Sequence, residues 1–333
     1  MPNSTTLNVV AVGASAGGVE ALKDFVAGLP AHLPYAVLVV LHMPAGAPSV
    51  LARILSRNAS LPTKEAVDGE VLQAGTIRVS VPNWHLVVDD DRIALTQGPT
   101  ENGHRPAINT LFRSVALTFG QRATGVVLSG VLDDGTLGAA AIRSRGGTTI
   151  AQKPDDALFS AMPLNAIHAG VIDHQATAAA VGSLLAELAA REFEVREMEP
   201  DLRMELENRI AMARRFSTEI DSESLGPPSG YTCPDCNGSL MSISEGNYRC
   251  RVGHAWTSEA LLSARDDEVD NALWIAIRSL QEKAKLSRRL AGRVAQGMLS
   301  ERYDAIANEA EHATAVLSER LSDMYSGTRP SDG

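Results

Sequence analysis

Three kinds of side chain that cooperate in serine hydrolases each follow an apolar run in the first half of the chain. Ser15 follows the first run, His42 the second, and the adjacent Asp133 and Asp134 a third. A serine hydroxyl becomes a nucleophile when a histidine accepts its proton, and a carboxylate orients the histidine and stabilises the imidazolium that forms. If folding brings these side chains together, the chemistry that they predict is acyl transfer through a nucleophilic serine.

Each of these side chains also has a structural interpretation. Ser15 precedes a helical stretch and is a common helix-capping residue, and an Asp-Asp-Gly turn often supplies a cap as well. A lone histidine such as His42 is more often structural than catalytic. The glycine-rich turn 13–18 has neither G-x-G-x-x-G nor G-K-[ST], so both phosphate-loop patterns fail there. Gly13 to Gly17 matches G-x-S-x-G, but in α/β-hydrolases the histidine comes last in the chain. The prediction of catalysis therefore depends on the three side chains together, because none of them predicts it alone.

The elements that must position these residues read as an α/β fold with a doubly wound parallel sheet. The apolar runs 7–12 and 35–41 flank an amphipathic stretch at 19–25, which predicts a parallel strand-helix-strand unit with a right-handed crossover. The runs 125–130 and 146–152 extend the sheet. The carboxyl ends of parallel strands share one edge, where such sheets bind ligands. We therefore expect the serine, the histidine and the acid to meet there. Further helices are predicted at 48–57, 110–119, 164–169 and 176–191, and short strands at 76–81, 86–88 and 92–96.

The composition excludes several classes of protein. The chain has 333 residues, enough for one fair-sized domain and a smaller one. Its formal net charge of −10 argues against non-specific nucleic-acid binding. It has no apolar run of membrane-spanning length, and residues 1–6 are too short and polar for a leader peptide. We therefore expect a cytoplasmic protein that does not insert into membranes and has no nucleic-acid partner.

Four ordered motifs carry a resemblance to a known family. They lie at 12–18, at 41–44, at 104–116 and at 129–135. Together they resemble the catalytic domain of the CheB-type chemotaxis protein-glutamate methylesterases over roughly residues 7 to 190. The resemblance implies hydrolysis of glutamyl methyl esters on the cytoplasmic domain of methylated chemoreceptors. The products are glutamate and methanol, and deamidation of receptor glutamines often accompanies this activity in chemotaxis or chemosensory signalling.

The resemblance also implies a role for each candidate residue. Ser15 is the nucleophile, His42 the base and Asp134 the orienting acid, because the acid of the family immediately precedes a glycine. The backbone at Ala16 and Val131 is expected to form the oxyanion site. Catalysis in the family needs no cofactor. The resemblance therefore selects Asp134 from the two adjacent aspartates, between which the residues alone do not choose.

The chain departs from the family at three places. Ala16 stands where the family has threonine, and Val131-Leu132 stands where it has Met-Gly. Leucine in place of glycine restricts φ at position 132. Family members of the main chemotaxis pathway begin with a receiver domain controlled by phosphorelay, whereas this chain opens on the catalytic strand. We therefore expect a stand-alone form that is regulated in another way.

Two other functions are weighed against the esterase. One is a catalytically weak or inactive regulatory protein that acts through the second half of the chain, which the Val131-Leu132 loop favours and the complete set of catalytic residues disfavours. The other is a dinucleotide-binding domain. His42 counts against it, since an acidic residue is expected at the end of the second strand of that fold.

The second half of the chain divides into a connector, a cysteine-containing module and a helical region. Residues 191–230 are a charged helical connector that ends in a Pro/Gly-rich linker at 226–230. Residues 258–325 are almost free of proline and glycine and predict a helical hairpin, which could bind other chemosensory proteins. Residues 326–333 are expected to be a disordered tail.

The cysteine-containing module, residues 231–257, has the ligand spacing of a small zinc site. Cys233, Cys236, Cys250 and His254 form the pattern Cys-x2-Cys-x13-Cys-x3-His, which includes every cysteine of the chain. Four such ligands give a closed tetrahedral site, so the zinc is expected to be structural. So short a module has little core of its own, and the metal would supply its folding energy. The alternative is free thiols with a surface histidine.

Overall fold

The computed structural model describes residues 7–189, 199–212 and 226–326, with side chains up to residue 322. Contacts between residues group the chain into two compact units, 1–261 and 262–333. The predicted catalytic region and the cysteine-containing module both belong to the first unit.

The first unit is built on a parallel sheet. Its strands up to residue 176 are β1 (Asn8–Ala14), β2 (Tyr35–Leu41), β3 (Thr63–Glu65), β4 (Thr76–Val79), β5 (His85–Asp89), β6 (Arg92–Thr96), β7 (Ala123–Val127), β8 (Thr148–Gln152) and β9 (His174–Ala176). Within the described residues, seven of them form one sheet in the order β3-β4-β2-β1-β7-β8-β9. Every pairing in that sheet is parallel, while β5 and β6 form a separate antiparallel hairpin.

Helices cover both faces of this sheet. They are α1 (Gly18–Ala27), α2 (Leu51–Leu55), α3 (Ile108–Phe119), α4 (Thr136–Ser144), α5 (Ala161–His168), α6 (Val181–Ala189) and α7 (Leu202–Met212). Successive residues of β1 point to opposite faces. Val10 and Val12 join the apolar core formed with α1, α2 and α6, whereas Val9 and Ala11 join the core formed with α3, α4 and α5. The doubly wound parallel sheet predicted from the sequence is confirmed.

Several of the predicted helices have different limits in the structure, and the one predicted at 176–191 begins only at Val181. The helix predicted at 164–169 begins earlier, at Ala161, and contains Pro163. Proline is tolerated in the first turn of a helix because the N–H it lacks has no partner there. The helix predicted at 48–57 is confined to 51–55. These differences concern the ends of helices, which the sequence locates less precisely than their centres.

The charged connector packs on the first unit where it is described. Helix α7 buries Met204, Ile210 and Ala211, and the Thr96 hydroxyl donates to the Ala211 carbonyl at 2.6 Å. These apolar side chains anchor the helix against α3 and the β5–β6 hairpin. Residues 190–198 and 213–225 of the connector lie outside the described residues.

The cysteine-containing module folds as an antiparallel sheet, which we call the ribbon. Its strands are β10 (Pro228–Thr232), β11 (Ser239–Ser244), β12 (Asn247–Cys250) and β13 (Ala255–Thr257), hydrogen-bonded in that order. The predicted linker at 226–230 therefore overlaps β10. Pro228 can begin this strand because β10 is an edge strand, where a missing N–H costs little.

Helices α8 (Ser258–Ala291) and α9 (Met298–Ser326) follow the ribbon, and the second unit begins within α8 at residue 262. Arg288 of α8 forms ion pairs with Asp304 (2.8 Å) and Glu311 (2.9 Å) of α9. These ion pairs join the two helices in the predicted hairpin. The predicted tail lies outside the described residues from residue 327 onwards. Among the described helices, none combines the length and apolarity that crossing a membrane requires.

Candidate active site

The carboxyl ends of three neighbouring strands bring the predicted site residues together. Strand register pairs Ala14 with Leu41, so Ser15 and His42, the next residues, are adjacent, and the His42 N–H donates to the Ala14 carbonyl at 3.1 Å. The Ser15 N–H donates to the carbonyl of Ser129, just beyond β7, at 2.9 Å. The backbone alone therefore fixes the relative positions of the serine and the histidine.

Glycine is required at two positions around the turn after β1: at Gly13, near the end of the strand, and at Gly17, within the turn. Gly17 has a φ of +68° and caps α1, and a Cβ atom there would lie 2.7 Å from the Ser129 hydroxyl oxygen. A Cβ atom at Gly13 would lie 2.2 Å from Cγ2 of Ile108. Because Gly17 is the capping residue, Ser15 is not the helix cap that one interpretation of the sequence offered. Its hydroxyl is directed to the histidine instead.

Ser15, His42 and Asp134 form one chain of hydrogen bonds. His42 Nδ1 lies 3.1 Å from Ser15 Oγ, and His42 Nε2 lies 2.7 Å from Asp134 Oδ2. A carboxylate only accepts, so Nε2 carries the proton of a neutral ring and Nδ1 presents its lone pair to the serine. The imidazole is in the tautomer that a general base for Ser15 requires.

Asp134 is the most completely hydrogen-bonded member of the chain. It is 2% exposed, and besides His42 its oxygens accept the N–H groups of Ile108 (2.8 Å), Asn109 (3.1 Å) and Gly135 (3.0 Å). Burial opposes ionisation, but the hydrogen bond and charge of His42, together with the N–H of Ile108, outweigh burial and lower the pKa of Asp134. This carboxyl is therefore held as a carboxylate.

Asp133, the other candidate acid, faces away from the histidine. Its Oδ1 accepts the hydroxyl of Thr257 at 2.9 Å. Burial raises the pKa of Asp133 to about 6, and the Thr257 hydrogen bond opposes that rise. Of the two adjacent carboxylates, Asp134 alone contacts the imidazole, which agrees with the assignment that the resemblance implied.

Two further histidines shape the site, and neither was among the predicted site residues. The His104 ring stacks on His42 with centroids 3.7 Å apart and planes at 13°. Burial, with a smaller effect of His42, lowers the pKa of His104 to about 4, so this ring is neutral near pH 7. Buried His85 donates from Nε2 to the Pro99 carbonyl and accepts the Ala107 N–H at Nδ1. His85 therefore holds both ends of the loop that carries His104. The only signal for His104 in the sequence is the motif that begins at residue 104.

Two buried polar side chains hold the loops around the site. The side-chain oxygen Oδ1 of Asn109 accepts hydrogen bonds from the N–H groups of Gly135 (3.0 Å) and Gly138 (2.7 Å) and so caps α4. The hydroxyl of Ser129 donates to the Ala16 carbonyl at 2.8 Å and accepts the Phe159 N–H at 3.0 Å. Sequence reasoning missed Asn109 and Ser129, because all four of these hydrogen bonds join residues that are far apart in the chain.

The expected oxyanion loops lie beside the serine. Leu132 has a φ of +60°, so the loop after β7 keeps the left-handed conformation in which the family has glycine. In the part of the chain that the structure describes, no hydrogen bond engages the N–H of Ala16 or of Val131. The Ser15 N–H, by contrast, is already bonded to Ser129. The N–H groups of Ala16 and Val131 are thus without an acceptor among the described hydrogen bonds.

A cleft of about 440 Å³ opens over Ser15 and His42. Its walls come from the segment after β2 and from the loop that carries His104 and Arg105. The Arg105 guanidinium is fixed by Asn83 Oδ1 at 2.7 Å and by the Gly98 carbonyl at 2.8 Å. The serine therefore lies at the base of an open cleft that a protein side chain can enter.

The four predicted metal ligands of the ribbon converge. Their ligand atoms all lie within 4.8 Å of one another. Cys236 and Cys250 sulfurs are 3.7 Å apart, and His254 Nδ1 is 3.4 Å from Cys250 Sγ and 3.7 Å from Cys233 Sγ. Tetrahedral zinc with Zn–S bonds of about 2.3 Å places two sulfurs about 3.8 Å apart. The cluster therefore has the residue types and the size of a group that could bind a metal.

Comparisons with known proteins agree with this geometry. The chain is 37% identical over 174 residues to protein-glutamate methylesterase/protein-glutamine glutaminase 2 of Methanosarcina acetivorans, covering 50% of this chain and 49% of that protein. It is 40% identical over 172 residues to the protein-glutamate methylesterase/protein-glutamine glutaminase of group 3 operon of Bradyrhizobium diazoefficiens, covering 50% and 47%. The chain thus spans about half the length of the curated relatives that it matches.

A solved structure resembles the first unit. The crystal structure of the Thermotoga maritima CheB methylesterase catalytic domain matches with a TM-score of 0.52 and 30% identity, covering 54% of this chain and 98% of that one. The family model for CheB methylesterase matches residues 10–185, which is more than half of the chain. Since that range includes Ser15, His42 and Asp134 on one sheet edge, the chain belongs to the CheB methylesterase family.

Proposed function

We propose that this protein is a protein-glutamate methylesterase. It hydrolyses glutamyl methyl esters on the cytoplasmic domain of methylated chemoreceptors, and it deamidates receptor glutamines at the same site. The observation that carries the proposal is the Ser15–His42–Asp134 hydrogen-bond chain, in a member of the CheB methylesterase family. The names of the similar proteins, protein-glutamate methylesterase/protein-glutamine glutaminase, support the choice of substrate.

The mechanism follows from the orientation of the His42 ring. Ser15 Oγ attacks the ester carbonyl carbon while its proton passes to Nδ1, and Asp134 stabilises the imidazolium through Nε2. The tetrahedral intermediate collapses, and the Nδ1 proton goes to the departing methoxide, which leaves as methanol. Water then attacks the acyl-enzyme with Nδ1 again as the base, which releases the glutamate carboxylate and regenerates Ser15. A glutamine substrate follows the same steps with ammonia as the leaving group.

The oxyanion of each tetrahedral intermediate needs donors that are already in place. We assign this role to the backbone N–H groups of Ala16 and Val131, which flank Ser15 and have no other partner among the described hydrogen bonds. Ala16 keeps such a donor because the N–H does not depend on the side chain. The left-handed Leu132 supports the assignment of Val131, since it preserves the turn that follows this residue.

Methanol release from methylated chemoreceptor membranes tests the function. Wild-type protein is expected to release methanol, and Ser15→Ala is expected to release none above background. Ser129→Ala is a useful second variant, because its hydroxyl supports the turn without reacting, and reduced but measurable release is expected. Hydrolysis that persists in Ser15→Ala would assign the activity to another residue. Absence of release from the wild type would favour the regulatory protein without catalytic activity.

We infer further that Cys233, Cys236, Cys250 and His254 hold a structural zinc ion. Thiolates and an imidazole are the ligands of closed tetrahedral zinc sites, and the spacing of these atoms fits one. Cys233 and Cys236 come from the turn after β10, Cys250 is the last residue of β12, and His254 lies between β12 and β13. One zinc ion per chain by elemental analysis, lost in Cys250→Ser, is the expected result.

A further inference from the structure

The last strand of the ribbon pairs with a loop of the candidate active site. The Asn102 N–H donates to the Ala255 carbonyl at 2.8 Å, and the Ala255 N–H donates to the Thr100 carbonyl at 3.2 Å. The Thr257 N–H donates to the side-chain oxygen of Asn102 at 2.9 Å. Two residues further on, the same loop reaches His104, whose ring stacks on the imidazole of the triad. The ribbon thus fixes one wall of the catalytic cleft.

The segment that leaves the ribbon also holds the loop of the catalytic acid. The Thr257 hydroxyl donates to Asp133 Oδ1 at 2.9 Å, one residue before Asp134. The Asn165 amide donates both to Glu259 Oε2 (2.8 Å) and to the Leu132 carbonyl (3.0 Å). Residues 131–134 are therefore connected directly to Thr257, at the end of β13, and through Asn165 to Glu259, at the start of α8.

A cluster of four charges, three of them buried, joins the ribbon to the helices that cover the parallel sheet. Arg249 of β12 lies 3.6 Å from Glu101 and 3.7 Å from Glu207 of α7, and Arg113 of α3 pairs with both carboxylates. Arg249 is 2% exposed and Glu101 is 4% exposed. Separating Arg249 from these carboxylates would leave buried charge without its full set of partners, which is unfavourable. The docked position of the ribbon is therefore strongly specified.

The metal ligands stand at the start of this connection. Cys250 ends β12, and His254 immediately precedes β13, the strand that pairs with the cleft wall. Outside the cysteines, the described ribbon buries few side chains of its own, among them Leu240 and Trp256. A module this short depends on its metal for folding. The conformation of β13 is therefore tied to occupancy of the cysteine and histidine ligands.

We propose that the metal-loaded ribbon is a positioning element of the active site, so that zinc occupancy sets the rate of ester hydrolysis. Thr257 and Asn102 are the positioning residues: Thr257 holds the loop of the catalytic acid, and Asn102 holds the loop of His104. Neither touches the triad. This inference rests on the proposed methylesterase function for its effect on rate, while its structural part is independent of that function.

The first experiment is hydrogen exchange on the full chain before and after zinc is removed with a chelator, with metal content measured in parallel. Loss of zinc is expected to speed exchange of the amides in 99–105 and 131–135, while the amides of β1, β2 and β7 stay protected because the sheet has its own core. Unchanged protection of both loops in the zinc-free protein overturns the proposal, whether or not the protein is an esterase.

The second experiment measures kcat and KM for methanol release, and labelling of Ser15 by a fluorophosphonate probe. Cys236→Ser and Thr257→Val are each expected to lower kcat by about tenfold or more, since a displaced catalytic group typically costs that much. KM should change little. Thr257→Ser keeps the hydroxyl and should restore the wild-type rate, and Thr257→Val should retain its zinc. Ser239→Ala, an exposed hydroxyl on β11, is the matched control and should behave as wild type.

The outcomes separate this inference from the proposed function. A wild-type protein that neither releases methanol nor labels, but whose loops lose protection without zinc, contradicts the esterase and supports the positioning role of the ribbon. An active wild type with equally active Cys236→Ser and Thr257→Val variants supports the esterase and overturns the inference.

Discussion

Asp134→Asn tests the chemistry of the site most sharply, because this carboxylate accepts four N–H groups. Oδ1 accepts those of Asn109 and Gly135, and Oδ2 accepts those of Ile108 and His42. An asparagine offers one oxygen and one NH2 group. In either orientation of the amide, its NH2 group therefore takes the place of an oxygen, and the two N–H groups that this oxygen accepted are left without an acceptor.

The size of the effect follows from this count. Each buried donor left without an acceptor costs about 1–3 kcal/mol, so the free energy of unfolding is expected to fall by about 2–6 kcal/mol. If the NH2 group faces His42, the ring must carry its proton on Nδ1, and Ser15 loses its base. The corresponding change in a serine protease lowers kcat by about 10⁴. The other orientation keeps the tautomer but breaks the contacts with Asn109 of α3 and with Gly135, which caps α4.

The assay compares urea unfolding and ester hydrolysis of Asp134→Asn with those of Asp133→Asn. The two substitutions are chemically identical and adjacent, but Asp133 accepts only the Thr257 hydroxyl among the described side-chain hydrogen bonds, and an amide oxygen can accept it as well. Asp133→Asn is therefore expected to stay within about 1 kcal/mol of wild type and to lose far less activity. Equal losses in the two variants, or an Asp134→Asn variant with more than a tenth of the wild-type rate, would refute the assignment of the acid.

Two further predictions concern stability. Leu132 has a φ of +60°, a conformation that costs about 1–2 kcal/mol for a residue with a Cβ atom; Leu132→Gly is therefore expected to unfold at higher urea than Leu132→Ala, and the reverse order would contradict strain at this position. His85 is fully buried, and burial lowers its pKa to about 4 from 6.5. Between these two pH values the unfolded chain binds a proton that the folded chain does not. Stability should therefore fall as the pH drops from 6.5 to 4, by about 3 kcal/mol from this residue. Urea unfolding at pH 7 and pH 4.5 should show a smaller fall for His85→Gln than for wild type, and an equal fall would contradict the prediction.

The parallel sheet and the meeting of Ser15 with His42 could be predicted because they follow from local pattern. Apolar runs of strand length mark buried parallel strands, and the residue after each run must lie at the carboxyl edge. The choice between Asp133 and Asp134 could not be made in this way. Adjacent residues in a turn point in different directions, and only the backbone path after β7 decides which one faces the imidazole.

His104, Asn109 and Ser129 could not be predicted because their contacts join distant parts of the chain. The stacking partner of His104 is 62 positions away in sequence, on another strand end. Asn109 caps a helix that begins at residue 136. Hydrophobic periodicity reports which face of an element is buried, but it does not report what that face meets.

The docking of the ribbon could not be predicted from the sequence either, because its contacts also join distant parts of the chain. These contacts connect the second half of the chain to the candidate active site. Spacing predicted four metal ligands, and it placed them in a module separated from the catalytic domain by the connector and the linker at 226–230. The structure pairs Arg249 with Glu101 and with Glu207 of α7, and it sets Thr257 against Asp133. One short turn thus carries two neighbouring carboxylates, of which Asp134 faces the histidine and Asp133 faces the ribbon. Because they share a backbone, a shift of the ribbon cannot move one carboxylate without moving the other.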